Sequence, residues 1–193
     1  MVSSTPLADG ERAIQTIVLA FAADPMARWS WPSADQYLKY MPSLARAFGG
    51  RAFEHGTAHN TDSFTGVALW LPPGVAPDEE ALVAITRQST GGRQQTEVFQ
   101  IFEAMAAHHP KEPHWYLPLI GVDPAHQGKG LGAALLKHAL ERCDRDRVPA
   151  YLESTNPRNI TLYKRHGFEA LGTIQVGSSP PLVPMLRRPQ SST

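Results

Sequence analysis

The amino-acid sequence predicts an α/β fold of the α+β kind, a mixed central β-sheet flanked by helices. Three observations carry that expectation. From Trp115 onward the chain alternates in the order β-α-β-α-β, which packs helices on the faces of a sheet. Ahead of it, two strand-like runs flank Asn60-Thr61-Asp62-Ser63 in the manner of an antiparallel hairpin. A length of 193 residues suits a single domain, 1–193, large enough to bury an apolar core.

Each element has a local cause. Asp9 to Ala23 puts Ile14, Ile17, Val18 and Phe21 on one helical face and is stopped by Asp24-Pro25. A second helix is expected over Ser33 to Phe48, closed by Gly49-Gly50. The hairpin strands read as Phe53 to His59 and Phe64 to Leu71, ended by Pro72-Pro73-Gly74. Asp78 to Thr86 and Thr96 to His108 are helical in pattern, with Gly91-Gly92 as a break between them. Trp115 to Val122 then reads as a strand, Gly130 to Arg145 as a helix and Ala150 to Ser154 as a strand. Asn156 to His166 follows as a helix, Phe168 to Val176 as a strand, and Leu182 to Leu186 as a last strand. Met1 to Pro6 and Pro189 to Thr193 read as disordered ends.

Composition excludes several functions. Eighteen Lys plus Arg balance eighteen Asp plus Glu, so no overall field draws the chain to nucleic acid, an anionic membrane or an acidic substrate. Any anion it binds must be held locally. The single cysteine, Cys143, rules out an internal disulfide and a multi-cysteine metal site, and it suits a reducing cytoplasm. Met1-Val-Ser-Ser-Thr-Pro carries no basic stretch and Ile14 to Ala23 is interrupted, so neither a signal peptide nor a membrane span is expected. His108, His109 and His114 fit no standard ligand spacing, and no metal is assigned.

The most informative stretch is Gln127-Gly128-Lys129-Gly130-Leu131-Gly132. A strand feeding this run directly into a helix leaves backbone N–H groups unpaired at a helix start, which is an anion site. Glycine lets the backbone approach phosphate oxygens and adopt positive φ. A Walker A loop fails, because six residues separate Gly121 from Gly128 and Lys129 is followed by Gly130. The dinucleotide fingerprint is a closer rival: Gly128, Gly130 and Ala133 fit it, and Glu153 stands where a ribose-binding acid would. Against it, Asp123 to Gln127 intervenes after the strand and little chain remains to build a large parallel sheet. The acyl-CoA loop, Gln/Arg-x-x-Gly-x-Gly/Ala, matches position by position.

With the apolar strand before it and the helix after, this run resembles the central motif of the GCN5-related N-acetyltransferase (GNAT) superfamily. Asn156-Pro-Arg-Asn159-Ile-Thr-Leu162-Tyr163-Lys-Arg-His166-Gly167-Phe168 resembles the superfamily's next motif. "HHPKEPHWYLPLIGVDPAHQGKGLG", "VPAYLESTNPRNITLYKRHGF", "AFAADP" and "GVALWLPP" look like the puromycin N-acetyltransferase family over almost the whole chain. The segments Met26 to Phe48 and Gly74 to Gly92 resemble it less, and the superfamily's first strand is short or absent before Asp9.

The resemblance implies a sheet splayed between two central parallel strands, with a cofactor half over about 114–177. It implies acetyl-CoA as cosubstrate and a small-molecule primary amine as acceptor, an aminonucleoside-type antibiotic among the candidates. Acetylation of a protein N-terminus or lysine, and a non-catalytic acyl-CoA sensor, are the alternatives. No nucleic acid or membrane partner is implied, and monomer and homodimer both stay open. Ile120, Gly121 and Val122 of the splayed strand would guide the pantetheine arm and the carbonyl. Pro118 fits a local irregularity in that strand. Gln127, Gly128, Lys129, Gly130, Leu131 and Gly132 would cradle the pyrophosphate, with His126 adding charge beside them. Asn159 would bond a pantetheine amide, while Asn156 suits a helix N-cap or a second cofactor contact.

Acetyl transfer needs a neutral amine, a polarised carbonyl and a proton for the departing thiolate. Tyr163 is the expected general acid, since a phenol of ordinary pKa near ~10 is protonated at neutral pH; packing beside Leu162 and Phe168 is its other reading. Glu153 is the expected base, against a solvated strand-end acid. Glu54, with His55 and His59, and Trp70 are candidates to face the acceptor from the hairpin, although such histidines and acids are more often surface residues and aromatic residues are commoner as core. Trp29, Trp31, Tyr37 and Tyr40 supply further aromatic surface in the same half.

Overall fold

A computed structural model describes residues 1–190. Seven strands form one sheet in the order β1-β2-β3-β4-β5-β7-β6. These are β1 (Val2–Ser4), β2 (Ala58–Thr61), β3 (Gly66–Leu71), β4 (Trp115–Val122), β5 (Ala150–Ser154), β6 (Glu169–Ala170) and β7 (Val183–Arg187). The pair β4–β5 is parallel and the others are antiparallel, so the sheet is mixed as expected. The helices are α1 (Gly10–Ala20), α2 (Pro25–Ser30), α3 (Ala34–Gly49), α4 (Arg51–Glu54), α5 (Glu79–Ser89), α6 (Gly92–His108), α7 (Leu131–Asp146) and α8 (Ile160–Arg165).

Strand pleating sends alternate side chains into two cores. On one face Val67, Leu69, Leu71, Tyr116 and Tyr151 pack with Ile14 and Ile17 of α1 and Met41 and Ala45 of α3. On the other, Ala68, Trp70, Trp115, Leu117 and Leu152 pack with Leu135, Leu136 and Leu140 of α7 and with Tyr163 of α8. A third cluster joins Ile101 of α6 to Ile174 and Leu182 near the C-terminus. Gly121 lies where a Cβ would stand 2.6 Å from the Ala20 Cβ, so glycine there lets α1 lie directly on β4.

Opposite β3, β4 carries one residue more than regular pairing allows: Leu69 faces Leu119, whereas Leu71 faces Tyr116. Pro118 sits inside this bulge, the irregularity expected of it, because proline has no N–H for the ladder. The bulge resets the alternation, so that Tyr116 and Leu119 share one face.

Several boundaries differ from the sequence expectation, among them α6, which starts at Gly92 and not at Thr96, and α8, which starts at Ile160 after a 3-10 turn at Pro157–Asn159. The first strand, expected to be short or absent, is present and short: β1 pairs Val2 to Thr61 and Ser4 to His59, and Thr5 extends the ladder by donating to the Ala58 carbonyl, so Met1 to Pro6, expected to be disordered, is largely an ordered sheet edge. Phe53 belongs to α4 and not to the hairpin; burial in the first core favours a helical turn there, and the strand starts only at Ala58. Pro25 opens α2, whose N-cap is Asp24, whereas the pair Asp24-Pro25 was expected only to stop α1. The strand expected over Phe168 to Val176 is ordered as a strand only at Glu169–Ala170, with a single bridge from Ile174 to Leu182, because Ile174 leaves the sheet for the third cluster. Of the tail expected to be disordered, residues 191–193 lie outside the described residues.

Candidate active site

The two central strands part almost as soon as they meet. Parallel pairing joins Trp115 to Ala150 and Tyr116 to Tyr151 and is described no further along. Beyond that point β4 keeps β3 on one side, through Ile120↔Ala68, Gly121↔Val67 and Val122↔Gly66, while its other edge faces a cavity of about 920 Å³. Leu117 to Val122 line this cavity from one strand and Leu152 to Ser154 from the other.

Part of the cavity wall is the glycine loop. Gly128 and Gly130 have φ of 76° and 79°, and a Cβ at either would meet nothing within 4 Å, so conformation rather than crowding requires glycine. Gly130 is the N-cap of α7 and offers no side-chain cap, which leaves the first-turn N–H groups of a long helix free for an anion. Gly128, Gly130, Leu131 and Gly132 all line the cavity. Gln127 also lines it, and its Nε2 donates to the Val122 carbonyl (3.2 Å), tying the loop to the end of β4 and occupying one of the backbone groups expected to face the cosubstrate. His126 lies 3.2 Å from Asp123, whose other carboxylate oxygen accepts from the Ala125 N–H. Lys129 is exposed on the loop and is outside the cavity lining.

α8 supplies Asn159 and Tyr163 one turn apart, both on the cavity wall. Asn159 caps α8 with no side-chain bond of its own. Asn156 accepts from the Arg158 N–H (3.1 Å), the expected capping role, and also lines the cavity. Tyr163 is 5% exposed and meets Phe168 edge-on at 6.0 Å, so the packing role holds together with a place on the wall. Burial, with the Asp24 carboxylate adding to it, pushes its phenol well above the usual value, so it stays protonated throughout the neutral range.

Glu153 is not a solvated strand-end acid: its side chain is 3% exposed. One oxygen accepts from the Tyr116 hydroxyl (2.8 Å) and the other lies 3.3 Å from His109 Nε2. It lines the cavity where the strands diverge. Asp24 is a second buried carboxylate on the wall, one that sequence reasoning missed. Its Oδ1 accepts from the Met26 and Ala27 N–H groups, and its Oδ2 from the Thr155 hydroxyl at 2.7 Å, which clips the start of α2 to the end of β5. Burial raises its carboxyl above the usual range against these bonds, which lower it. The Asp-Pro pair signals a helix N-cap as well as a helix stop, and that was the available clue.

The hairpin residues expected at the acceptor are elsewhere. Trp70 is 1% exposed in the core beneath α7, outside the cavity lining, because the pleat turns it to the face opposite Leu69 and Leu71. Glu54 and His55 are exposed at the end of α4, and His59 packs against His138 of α7 at 4.7 Å, where burial pushes its pKa down to about 4. Of the N-terminal aromatics, Trp29 and Trp31 line the cavity, Trp31 stacked on Tyr40, while Tyr37 is bound to the Val18 carbonyl. Cys143 is buried and its thiol is pushed up to about 12, so it is not a nucleophile. Among the described residues no three His, Cys, Asp or Glu side chains gather as metal ligands, and no helix is long and apolar enough to cross a membrane.

Residues 98–168 match the Acetyltransferase (GNAT) family. The mixed sheet, parallel at β4–β5 and flanked by helices, matches the GNAT fold, and these likenesses support an acyltransferase enzyme, for which the fold implies acetyl-CoA as cosubstrate. It is 27% identical to an uncharacterized N-acetyltransferase of Schizosaccharomyces pombe, over 96% of this chain and 82% of that protein. A mycothiol acetyltransferase of Kineococcus radiotolerans is 42% identical over a segment covering 33% of this chain and 22% of its own. Among solved structures, a protein described as histone acetyltransferase HPA2 and related acetyltransferase from Corynebacterium glutamicum superposes with a TM-score of 0.70 at 27% identity, covering 100% of this chain and 98% of that one. Arylalkylamine N-acetyltransferase 2 from Aedes aegypti shares the fold, with a TM-score of 0.67 at 14% identity over 98% and 99% of the two chains.

Proposed function

We propose that the chain acetylates the primary amine of a small molecule, with aminonucleosides of the puromycin type as the first acceptors to test. One observation carries this reading. The gap between β4 and β5 opens into a cavity that is lined both by an uncapped, glycine-led helix start and by Trp29 and Trp31. The first suits a pyrophosphate, and the second suits the aromatic or apolar body of an amine.

Bound acetyl-CoA supplies a thioester whose carbonyl carbon accepts the amine and whose sulfur departs. In this reading the N–H groups from Gly128 to Gly132 take the pyrophosphate, with Lys129 and His126 adding charge at the rim. Gln127 holds the loop in place through Val122. The edge of β4 at Ile120 and Gly121, and at Val122 apart from the carbonyl that Gln127 holds, pairs together with Asn159 with the pantetheine arm, and Asn156 keeps α8 at its angle. Tyr163 donates its proton to the sulfur as negative charge develops there. Glu153 takes the proton of the attacking amine. Asp24, bound to Thr155 just past the strand that carries Glu153, holds negative charge near Tyr163 and favours a cationic acceptor.

The test is incubation with acetyl-CoA and a panel of amines, read by thiol release and by the acetyl mass increment on each candidate. Acetylated puromycin-like aminonucleosides support the reading. Product confined to peptide N-termini or lysines moves the acceptor to protein. Acetyl-CoA binding with no product from any amine turns the site into a sensor.

A further inference from the structure

Behind the cavity, Glu153 begins a chain of polar groups that runs outward to solvent. Its Oε2 accepts from Tyr116, while its Oε1 faces His109 Nε2 at 3.3 Å without receiving a hydrogen bond among the described residues. His109 Nδ1 lies 3.1 Å from His114 Nε2, and His114 Nδ1 lies 2.8 Å from the Glu112 carbonyl oxygen. That carbonyl settles every proton in the chain. A carbonyl oxygen only accepts, so His114 carries its hydrogen on Nδ1 and, when neutral, its lone pair on Nε2. His109 must then donate from Nδ1, which leaves the lone pair of neutral His109 on Nε2, facing the Glu153 carboxyl. Two lone pairs facing each other repel. The contact becomes favourable with one proton held between Glu153 and His109.

Tyr116 from β4 and Tyr151 from β5 hold the His109 ring at centroid separations of 4.6 Å and 4.5 Å. Burial, helped by Glu153, raises the Tyr116 hydroxyl well above its usual value, so it donates to Glu153 and does not take the proton away. Burial likewise raises the Tyr151 hydroxyl and lowers His114. The Glu112 carboxylate is occupied by Arg188. The Glu153 side chain is 3% exposed and that of His109 27%, while His114 is half-buried.

We propose that Glu153, His109 and His114 are the exit path for the proton that acetyl transfer releases, with His109 as a positioning residue that takes the proton from Glu153. The proposal rests on Glu153 being the base. The acceptor enters as an ammonium and leaves as an amide: the N–C bond forms, the C–S bond breaks, and nitrogen loses two protons. One is balanced on the departing sulfur, and the other must reach water. From Glu153 it passes to His109 Nε2. The resulting imidazolium is shared with His114 through the Nδ1–H···Nε2 bond, and the pair gives one proton to solvent.

Two measurements test this. The first is nitrogen NMR of the imidazole rings in the wild-type protein, which is expected to show neutral His114 as the Nδ1–H tautomer; an Nε2–H tautomer overturns the path. The second is the pH dependence of turnover in His109→Phe, which keeps the ring contacts with Tyr116 and Tyr151. Its kcat is expected to fall about tenfold or more at neutral pH, with KM for amine and acetyl-CoA unchanged. The loss should shrink as pH rises, and free imidazole should restore kcat in proportion to its base form. His109→Gln, which preserves a polar contact, is expected to show the same imidazole rescue. Wild-type kcat in both variants, or a loss that neither pH nor imidazole relieves, overturns the path. Glu153→Gln separates the two levels: lost turnover there with unaffected His109 variants removes the path alone, and unaffected turnover there removes the base and the path with it.

Discussion

In the proposed reaction Tyr163 has two tasks for one side chain, to pack the core and to act as the acid. Its ring fills the core against Phe168, and that burial keeps its hydroxyl protonated at any pH the enzyme works in. Tyr163→Phe is therefore expected to retain the fold and lose about 10²-fold or more in kcat, seen as slower thiol release with unchanged thermal melting. Equal turnover across pH would remove Tyr163 as the acid. Asp24 offers a test with the opposite sign. Its carboxyl is raised in the folded state by burial, so whatever stability it contributes is full below the unfolded pKa and is lost as pH rises through the folded value. Asp24→Asn keeps an oxygen for the Met26 and Ala27 N–H groups and removes the buried charge. In urea titrations it is expected to be more stable than the wild type at neutral pH, with the difference vanishing in acid. A constant deficit at every pH would contradict this.

Among the elements, the junction of β4 and α7 carries the most specific demand. Gly130 ends the loop in a left-handed conformation and begins the helix, with open space around the position of a Cβ. Gly130→Ala meets no clash but pays about 1–2 kcal/mol for that conformation. Relief by rotating the loop would turn the first-turn N–H groups away from the anion. KM for acetyl-CoA is expected to rise about tenfold, the equivalent of roughly 1.4 kcal/mol, with a smaller effect on KM for the amine. Isothermal titration with coenzyme A checks the same point without turnover. An unchanged coenzyme A affinity would mean that the loop tolerates the strain in place.

At the scale of the molecule, distant segments are held by a few buried polar ties. Arg187 of β7, its side chain 4% exposed, is clamped by both carboxylate oxygens of Asp144 near the end of α7, and the Gln190 N–H adds a third bond. The clamp locks the inserted C-terminal strand to the helix that carries the glycine loop. Asp144→Ala leaves a buried guanidinium unpaired and is expected to cost about 3–5 kcal/mol, measured by denaturant unfolding. The Arg187 hydrogen bonds hold the Asp144 carboxyl below the usual carboxylate range. Its stabilisation is therefore present above the unfolded carboxylate pKa and lost as pH falls through the folded value. The gap between wild type and variant should close in strong acid.

Legibility followed the range of the forces involved. β4, β5 and α7 were read within a residue because their signals are local, alternation bounded by Asp-Pro and glycines at a strand-to-helix turn; α8 was expected four residues too early, its entry through Asn156-Pro157 being a 3-10 turn. The candidate cofactor residues from Gln127 to Gly132, and Asn159 with Tyr163, came with those elements, since each set lies within a turn or two of chain. The acceptor side did not. Which face Trp70 occupies depends on pleat and register across β3 and β4, and a bulge at Pro118 resets that register. Asp24 meets Thr155 across 131 positions of sequence, and His109 reaches Glu153 only because the end of α6 folds back over β5. The sequence by itself determined the mixed sheet, the glycine-led helix start and the acyltransferase class, through backbone conformation and nearest-neighbour geometry. The tertiary structure alone decided which carboxylates are buried beside the splay and where a proton can leave, because burial and hydrogen bonding between distant segments exist only once the chain has closed on itself.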